Sequence, residues 1–336
     1  MYNFFKCPKC GKSFSLPTSE AACTCGFVAP CNNNIYQLTN DPYMVKDENA
    51  NVKYIGYEDI GEAYSGGAIF KAQKMEDKFT QIAKIIDDGI LLDLACGDGL
   101  FTVPLLQLGI KIIAMDISDK MLSLLHKRAE NVGVNAANLV VCRANALDIP
   151  LTNNSVDAAI ANSMLHLISK PELVVNEIHR VLKKGGKFIT LEDKPTTNQF
   201  NDQTLSEKEL HDNSKHEEMA GFVHHRYFEI LKDEYEIQGT RYSWKFDRES
   251  ICNNLFSTHE TIVVPMNSKV QYSFNDSFIY RMKGKGYSDQ SDVPFDIHHI
   301  VFDRVMDEFN KKYGIEALDA VYTGWENDIE ITVYVK

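Results

Sequence analysis

The sequence predicts an α/β fold: a doubly wound, mostly parallel sheet with a small metal-stapled segment ahead of it. Three observations carry this expectation. Between residues 87 and 194, short apolar runs alternate with amphipathic segments of helical period. The first of those runs leads into a carboxylate and a glycine bend, Asp93 to Gly99. Five of the eight cysteines fall between Cys7 and Cys31.

The N-terminal stretch, residues 1–40, holds Cys7-Pro8-Lys9-Cys10-Gly11, then Cys23-Thr24-Cys25-Gly26, then Cys31. Two cysteines in one turn can place both thiolates on a single ion. Four thiolates close the tetrahedral shell of a structural zinc site. Cys7, Cys10, Cys23 and Cys25 are the expected metal ligands. The one-residue gap between Cys23 and Cys25 is tighter than a usual second knuckle, so Cys31 stays open as a replacement for either. The chain begins without a basic and then apolar leader, and no apolar run approaches the ~18–20 residues of a membrane span. It therefore reads as cytoplasmic, where clustered cysteines point to metal rather than disulfides.

Residues 41–86 form a joining segment, polar at first and helical in pattern from about Ile69 to Ile86. The alternation then begins. Ile90-Leu91-Leu92-Asp93-Leu94 reads as a buried parallel strand, followed by a helix over Leu100 to Leu108 that Gly109 ends. Lys111 to Met115 is a second strand, closed by Asp116, and Ser118 caps a helix running to about Val132. Leu139 to Arg143 and Ala158 to Ala161 are the third and fourth strands. Pro171 opens a helix through Leu182, Gly185-Gly186 stops it, and Lys187 to Leu191 is the fifth strand. Strands and helices in this rhythm make a parallel sheet covered on both faces.

In such sheets the ligand sits beyond the carboxyl ends of the strands. Gly97 and Gly99 let the backbone turn sharply and come close to a ligand. Two features select the ligand. Thr102 stands where a dinucleotide fingerprint has its third glycine, and Asp93 would repel a pyrophosphate while favouring a cation. Asp116, at the tip of the second strand, can accept hydrogen bonds from both hydroxyls of a ribose. A ribose and a positive group without phosphates describe S-adenosylmethionine.

The run Leu91 to Gly99, followed by Ala114-Met115-Asp116-Ile117-Ser118, resembles motifs I and II of class I S-adenosylmethionine-dependent methyltransferases. The similarity continues through Ala144 to Pro150, Ser155 to His166, and Glu177 to Gly186, covering about residues 87–191. It implies a Rossmann-like, seven-stranded sheet over residues 87–336, with 260–264 and 329–335 suiting the last two strands and 299–313 a helix between them. It also implies that 41–86 lies over the cofactor. Asp93 would face the methionine amino group, while Ala95, Cys96, Gly97 and Gly99 line the methionine portion. Asp116 would hold the ribose, Ile117 would pack on the adenine, Asn145 and Ala146 would meet its edge, Asn162 would close the pocket, and Met121 would also touch the cofactor. Ala95 replaces a frequent glycine, and Asn145 replaces a common aspartate, turning a carboxylate bond into an amide carbonyl bond. The cysteine-bearing head resembles the zinc ribbon of bacterial ribosomal RNA guanine methyltransferases.

The expected activity is methyl transfer to an oxygen or nitrogen of a small-molecule acceptor. The net charge of −12, from 35 basic and 47 acidic residues, disfavours a nucleic-acid partner. An insertion at about 195–247, bearing Phe222, Tyr227, Tyr242, Trp244 and Phe246, would serve as a substrate lid. His166, at the mouth of the fourth strand, and the pair His224 and His225 are the candidate general bases. An RNA base methyltransferase is the first alternative, a noncatalytic nucleoside-binding module the second. No pattern in the sequence speaks to oligomeric state.

Overall fold

Two antiparallel strands, β1 (Tyr2–Lys6) and β2 (Ser13–Leu16), open the chain, followed by a tight hairpin of β3 (Cys31–Asn32) and β4 (Ile35–Gln37). In this computed structural model the residues described are 2–16, 22–39, 76–194, 205–238, 246–265, 269–290, 293–325 and 327–336. The expected helical pattern from Ile69 is described from Glu76 onward, as α1 (Glu76–Ile86), which buries Phe79, Ile82 and Ile86 on one stripe. Residues 41–75, most of the segment expected over the cofactor, lie outside the described residues, as do Tyr242 and Trp244 of the expected lid.

The central stretch follows the predicted rhythm. It runs β5 (Ile90–Leu94), α2 (Thr102–Gln107), β6 (Lys111–Asp116), α3 (Asp119–Asn131), β7 (Leu139–Arg143), β8 (Val156–Ile160), α4 (Pro171–Val181) and β9 (Leu182–Lys194). Ser118 caps α3 by accepting from the Met121 amide at 3.1 Å. Pro171 sits in the first turn of α4, where its missing N–H costs nothing. Beyond β9 come α5 (Glu207–Tyr235), α6 (Arg248–Asn253), β10 (Thr258–Val264) and β11 (Lys269–Ser273). A π-helical turn, Phe274–Ile279, then leads into α7 (Tyr280–Lys283), α8 (Phe295–Tyr313), β12 (Val321–Trp325) and β13 (Asp328–Val335).

The main sheet has the order β10-β13-β9-β8-β5-β6-β7-β4-β3. Strands β5 to β9 run parallel to one another, and β13 is antiparallel to both its neighbours. From β5 the order runs outward to β6 and β7 on one side and to β8 and β9 on the other. That reversal opens a crevice at the carboxyl tips of β5 and β8. The expected seven strands are present, and among the described residues β4 and β3 lengthen the sheet to nine.

The extension shows that the cysteine-bearing segment is built into the domain. Strand β4 pairs in parallel with β7, matching Gln37 with Arg143, and so covers an edge that would otherwise be bare. On β1 the Lys6 amide donates to the Pro150 carbonyl at 2.9 Å, and the Thr152 amide to the Phe4 carbonyl at 2.8 Å. Phe5, Phe14 and Leu16 share one buried cluster with Leu92, Met115 and Leu151.

The C-terminal third departs further from expectation. The sequence places one insertion at 195–247; in the structure the segment between β10 and β13 supplies the larger share of the core beside it. Helices α5 and α8 and the π-helical turn enclose a core of their own, with Val223, Tyr227 and Ile230 facing Phe302, Val305, Phe309 and Phe274. An amphipathic pattern over 299–313 shows that a helix buries one face. It carries no mark of whether a sheet or another helix covers it.

Candidate functional site

A cavity opens at the crevice between β5 and β8, with about 1100 Å³ of free space, its solvent-open mouth included. The bend after β5 forms its floor: Asp93, Ala95, Cys96, Gly97 and Asp98 all line it. Gly97 and Gly99 both have positive φ, +55° and +84°. A Cβ on Gly99 would come within 2.9 Å of Leu125 Cγ, so this glycine seats the bend against α3 and is not itself among the lining residues. Ala95, in the position where a glycine is frequent, also takes a left-handed φ of +55°. Such a backbone costs an alanine about 1 kcal/mol. The small-for-small exchange is tolerated at the price of local strain.

Asp93 is 3% exposed and accepts from Thr102 Oγ1 at 2.5 Å. Burial pushes its carboxyl up to about 6; the Thr102 hydroxyl works in the opposite direction, and the nearby Asp116 charge adds a smaller upward push. A carboxylate in this setting gains from a cation placed beside it. Asp116 accepts from the Gly97 amide at 2.9 Å through Oδ2 and from the Ser118 amide at 3.0 Å through Oδ1. Those bonds fix the plane of the carboxylate, and since each carboxylate oxygen can accept more than one hydrogen bond, ribose hydroxyls can join them. Burial, reinforced by Asp116, Asp93 and Asp98, raises the Cys96 thiol well above its usual range, so it stays protonated.

Ile117, Ala144 and Ala146 from the tips of β6 and β7, with Met121 from the first turn of α3, supply an apolar wall. Asn145 lines the cavity too, but its Oδ1 accepts from the Leu147 amide at 2.9 Å, so the side chain also braces its own turn. Asn162 and Ser163 follow β8, joined by a 3.0 Å hydrogen bond from Asn162 Nδ2 to Ser163 Oγ. Beyond them Met164, Leu167 and Ile168 form a second apolar wall.

The three histidines stand elsewhere. His166 is half-buried outside the lining, where burial and the Arg248 charge lower its pKa. His224 lies on α5 with Nε2 2.9 Å from Asp289 Oδ2, and His225 is exposed on the same helix. The structure brings none of them to the cavity wall. Two residues that sequence reasoning passed over do belong there or next to it. Asp98 is buried in the bend and pairs with Arg128 of α3 at 2.5 Å. Thirty residues separate the two, and no local pattern joins them.

The second candidate site is the cysteine cluster. The sulfurs of Cys7, Cys10, Cys23 and Cys25 all lie within 4.8 Å of one another. Cys7 and Cys25 sulfurs are 3.7 Å apart and those of Cys10 and Cys23 3.5 Å. Four sulfurs at about 2.3 Å from a central zinc would sit about 3.8 Å apart, so the donor set fits a tetrahedral ion. Cys31 is exposed in β3 and is not a member of the group, which leaves the four expected ligands.

Comparison with known proteins agrees with the central fold. Residues 92–190, under a third of the chain, match the family model described as a methyltransferase domain. An uncharacterised chloroplastic methyltransferase of Arabidopsis thaliana is 27% identical over 189 residues, 55% of this chain and 53% of that protein. The ubiquinone/menaquinone biosynthesis C-methyltransferase UbiE of Pasteurella multocida is 33% identical over 105 residues, 30% of this chain and 39% of that one. Among solved structures, the YcgJ protein of Bacillus subtilis aligns with a TM-score of 0.43 at 15% identity, covering 77% of this chain and 98% of that one. The chain spans about half the length, or less, of these curated relatives. Among the described residues no helix is long and apolar enough to cross a membrane.

Proposed function

We propose that this protein is an S-adenosylmethionine-dependent methyltransferase acting on a small-molecule acceptor, with a structural zinc held by Cys7, Cys10, Cys23 and Cys25. One observation carries the cofactor reading. The cavity at the switch point is lined by three carboxylates, Asp93, Asp98 and Asp116, and by no Lys, Arg or His among the described residues. Such a wall refuses a pyrophosphate and welcomes a cation.

When bound, S-adenosylmethionine supplies an electrophilic methyl on a sulfonium that is already a good leaving group. Asp93 would take the ammonium of its amino-acid part and Asp116 the ribose hydroxyls. Ile117, Met121 and Ala146 would pack against the base, with Asn145 at its edge and Asn162 closing the pocket. The backbone of Ala95, Cys96 and Gly97 would follow the methionine portion. What remains for the protein is to hold the acceptor in line and keep water out. Met164, Leu167 and Ile168 suit an acceptor with an apolar body.

The acidic net charge supports a small molecule over RNA, as does Lys6, whose ammonium is engaged by Asp148 at 2.7 Å. From the sequence, oxygen or nitrogen is the atom methylated. Carbon is the atom named for the Pasteurella relative. Product analysis after transfer of a labelled methyl separates the three, and label entering an RNA fraction would overturn the small-molecule reading.

Calorimetry with S-adenosylhomocysteine tests the cofactor assignment. Wild type should bind, and Asp116→Ala should weaken binding about 100-fold, the loss of charge-assisted bonds to two hydroxyls. Near-normal affinity in the variant, or tighter binding of NAD or ATP, would remove the assignment.

A further inference from the structure

The loop that would carry the adenosine is held from an unexpected direction. Asp116 and Ile117 sit at the tip of β6, and the loop continues through Ser118 to Asp119, the first residue of α3. Both oxygens of Asp119 are gripped. Gln37 Nε2 of β4 donates to Oδ1 at 2.9 Å, and Arg143 Nη1 of β7 lies 3.0 Å from Oδ2. The same guanidinium donates through Nε to the Ile117 carbonyl at 2.9 Å. Gln37 and Arg143 are register partners in the parallel β4–β7 ladder, so the pairing of those strands places the two donors side by side. The ladder is continued by the Leu38 amide, which donates to the Arg143 carbonyl at 3.0 Å.

We infer that the N-terminal cysteine-bearing segment is a working part of the cofactor site. Gln37, Asp119 and Arg143 form a clamp that fixes the Asp116–Ile117 loop, and the grip on adenosine depends on β4 staying docked. All three are positioning residues, since none of them lines the cavity. The physical reason is preorganisation. A carboxylate that must meet two hydroxyls at once loses affinity when its loop is free to wander, even though no contact to the ligand has been removed. Arg143 ties the loop at two points, Asp119 and the Ile117 carbonyl, whereas Gln37 adds a third bond from outside the seven-stranded sheet.

The inference rests on the cofactor reading above, and the experiment keeps the two apart. Arg143→Met and Gln37→Ala are compared with wild type for binding of S-adenosylhomocysteine and of 5′-methylthioadenosine, with melting temperature and metal content measured alongside. Arg143→Met should weaken both ligands by about 10-fold and Gln37→Ala by about 3-fold, within the usual range for coupling between sites. The loss should be equal for the two ligands, because the loop serves the adenosine they share. Metal content should stay at the wild-type level. A general loosening of the fold would instead lower melting temperature without an equal loss on both ligands. Should Arg143→Met fail to fold, Gln37→Ala decides alone, since its side chain is only half-buried. Unchanged affinities in a folded variant overturn the clamp and leave the cofactor reading intact. Failure of wild type to bind either ligand overturns the cofactor reading itself.

Discussion

The N-terminal segment and the helical body built from α5 and α8 are attached to the central sheet in opposite ways. The N-terminal segment gives β4 to the sheet, buries Phe5 and Leu16 in the sheet's own cluster, and reaches the candidate cofactor loop through Gln37. The C-terminal helical body keeps its own core around Tyr227, Phe302 and Phe309, and pins it with a private relay. There His298 Nε2 donates to the Lys283 carbonyl at 2.8 Å, which leaves Nδ1 to accept the Tyr227 hydroxyl at 2.6 Å. A segment that shares the sheet's core must unfold with it and can transmit to its site. A segment with a separate core can be altered without the candidate cofactor pocket noticing.

The largest effect that comparison predicts is on stability. Cys7→Ser removes one of four thiolates, and because the segment shares the central core, the main melting transition should fall by about 10 °C. A small early transition with the main one unmoved would show that the N-terminal segment is an independent appendage. Metal analysis should return about one zinc per wild-type chain and none for the variant.

Next in size is a pH effect confined to the candidate cofactor pocket. Asp93 titrates near 6 when folded, above its ordinary value, so the folded state holds a proton that the unfolded state has released. Its contribution to stability is therefore full below about pH 4 and is lost as pH rises through about 6. An ammonium beside it reverses the preference. Affinity for S-adenosylhomocysteine should rise about tenfold between pH 5 and pH 7, then level off. Asp93→Asn should flatten that rise; a rise that survives the substitution would place the titrating group elsewhere.

The smallest effect sharpens the contrast from the other end. Tyr227→Phe removes the hydroxyl from the His298 relay and should cost about 1 kcal/mol of stability. Affinity for S-adenosylhomocysteine should stay within about twofold of wild type, the scatter expected of sites that do not couple. A larger loss of affinity would mean that the helical body is coupled to the pocket after all.

Much of the candidate cofactor site was readable from residues close together in sequence. Asp93, Gly97 and Gly99 lie within one bend, and Ser118 announces the helix it caps. The histidines were harder. His166 follows a strand tip closely enough to invite a catalytic reading, yet a turn of only a few residues decides which way it faces. His224 and His225 sit on a long helix whose pattern shows burial but not what buries it. Cys31 differs from Cys25 by six positions, and only the hairpin of β3 and β4 takes it away from the cluster.

Alternation of apolar runs, the carboxylate and glycine spacing, and the paired cysteines were determined by the sequence alone, because each is a local pattern set by strand, helix and turn geometry. The tertiary structure decided the rest: that β4 extends the sheet, that Gln37 and Arg143 meet on Asp119, and that two insertions close over one core. Many of those contacts span long stretches of chain, 82 positions for Gln37 with Asp119 and 110 for Asn213 with Thr323. Side chains so distant along the chain leave no periodic trace, and they become neighbours only when backbone pairing and burial fix every segment between them.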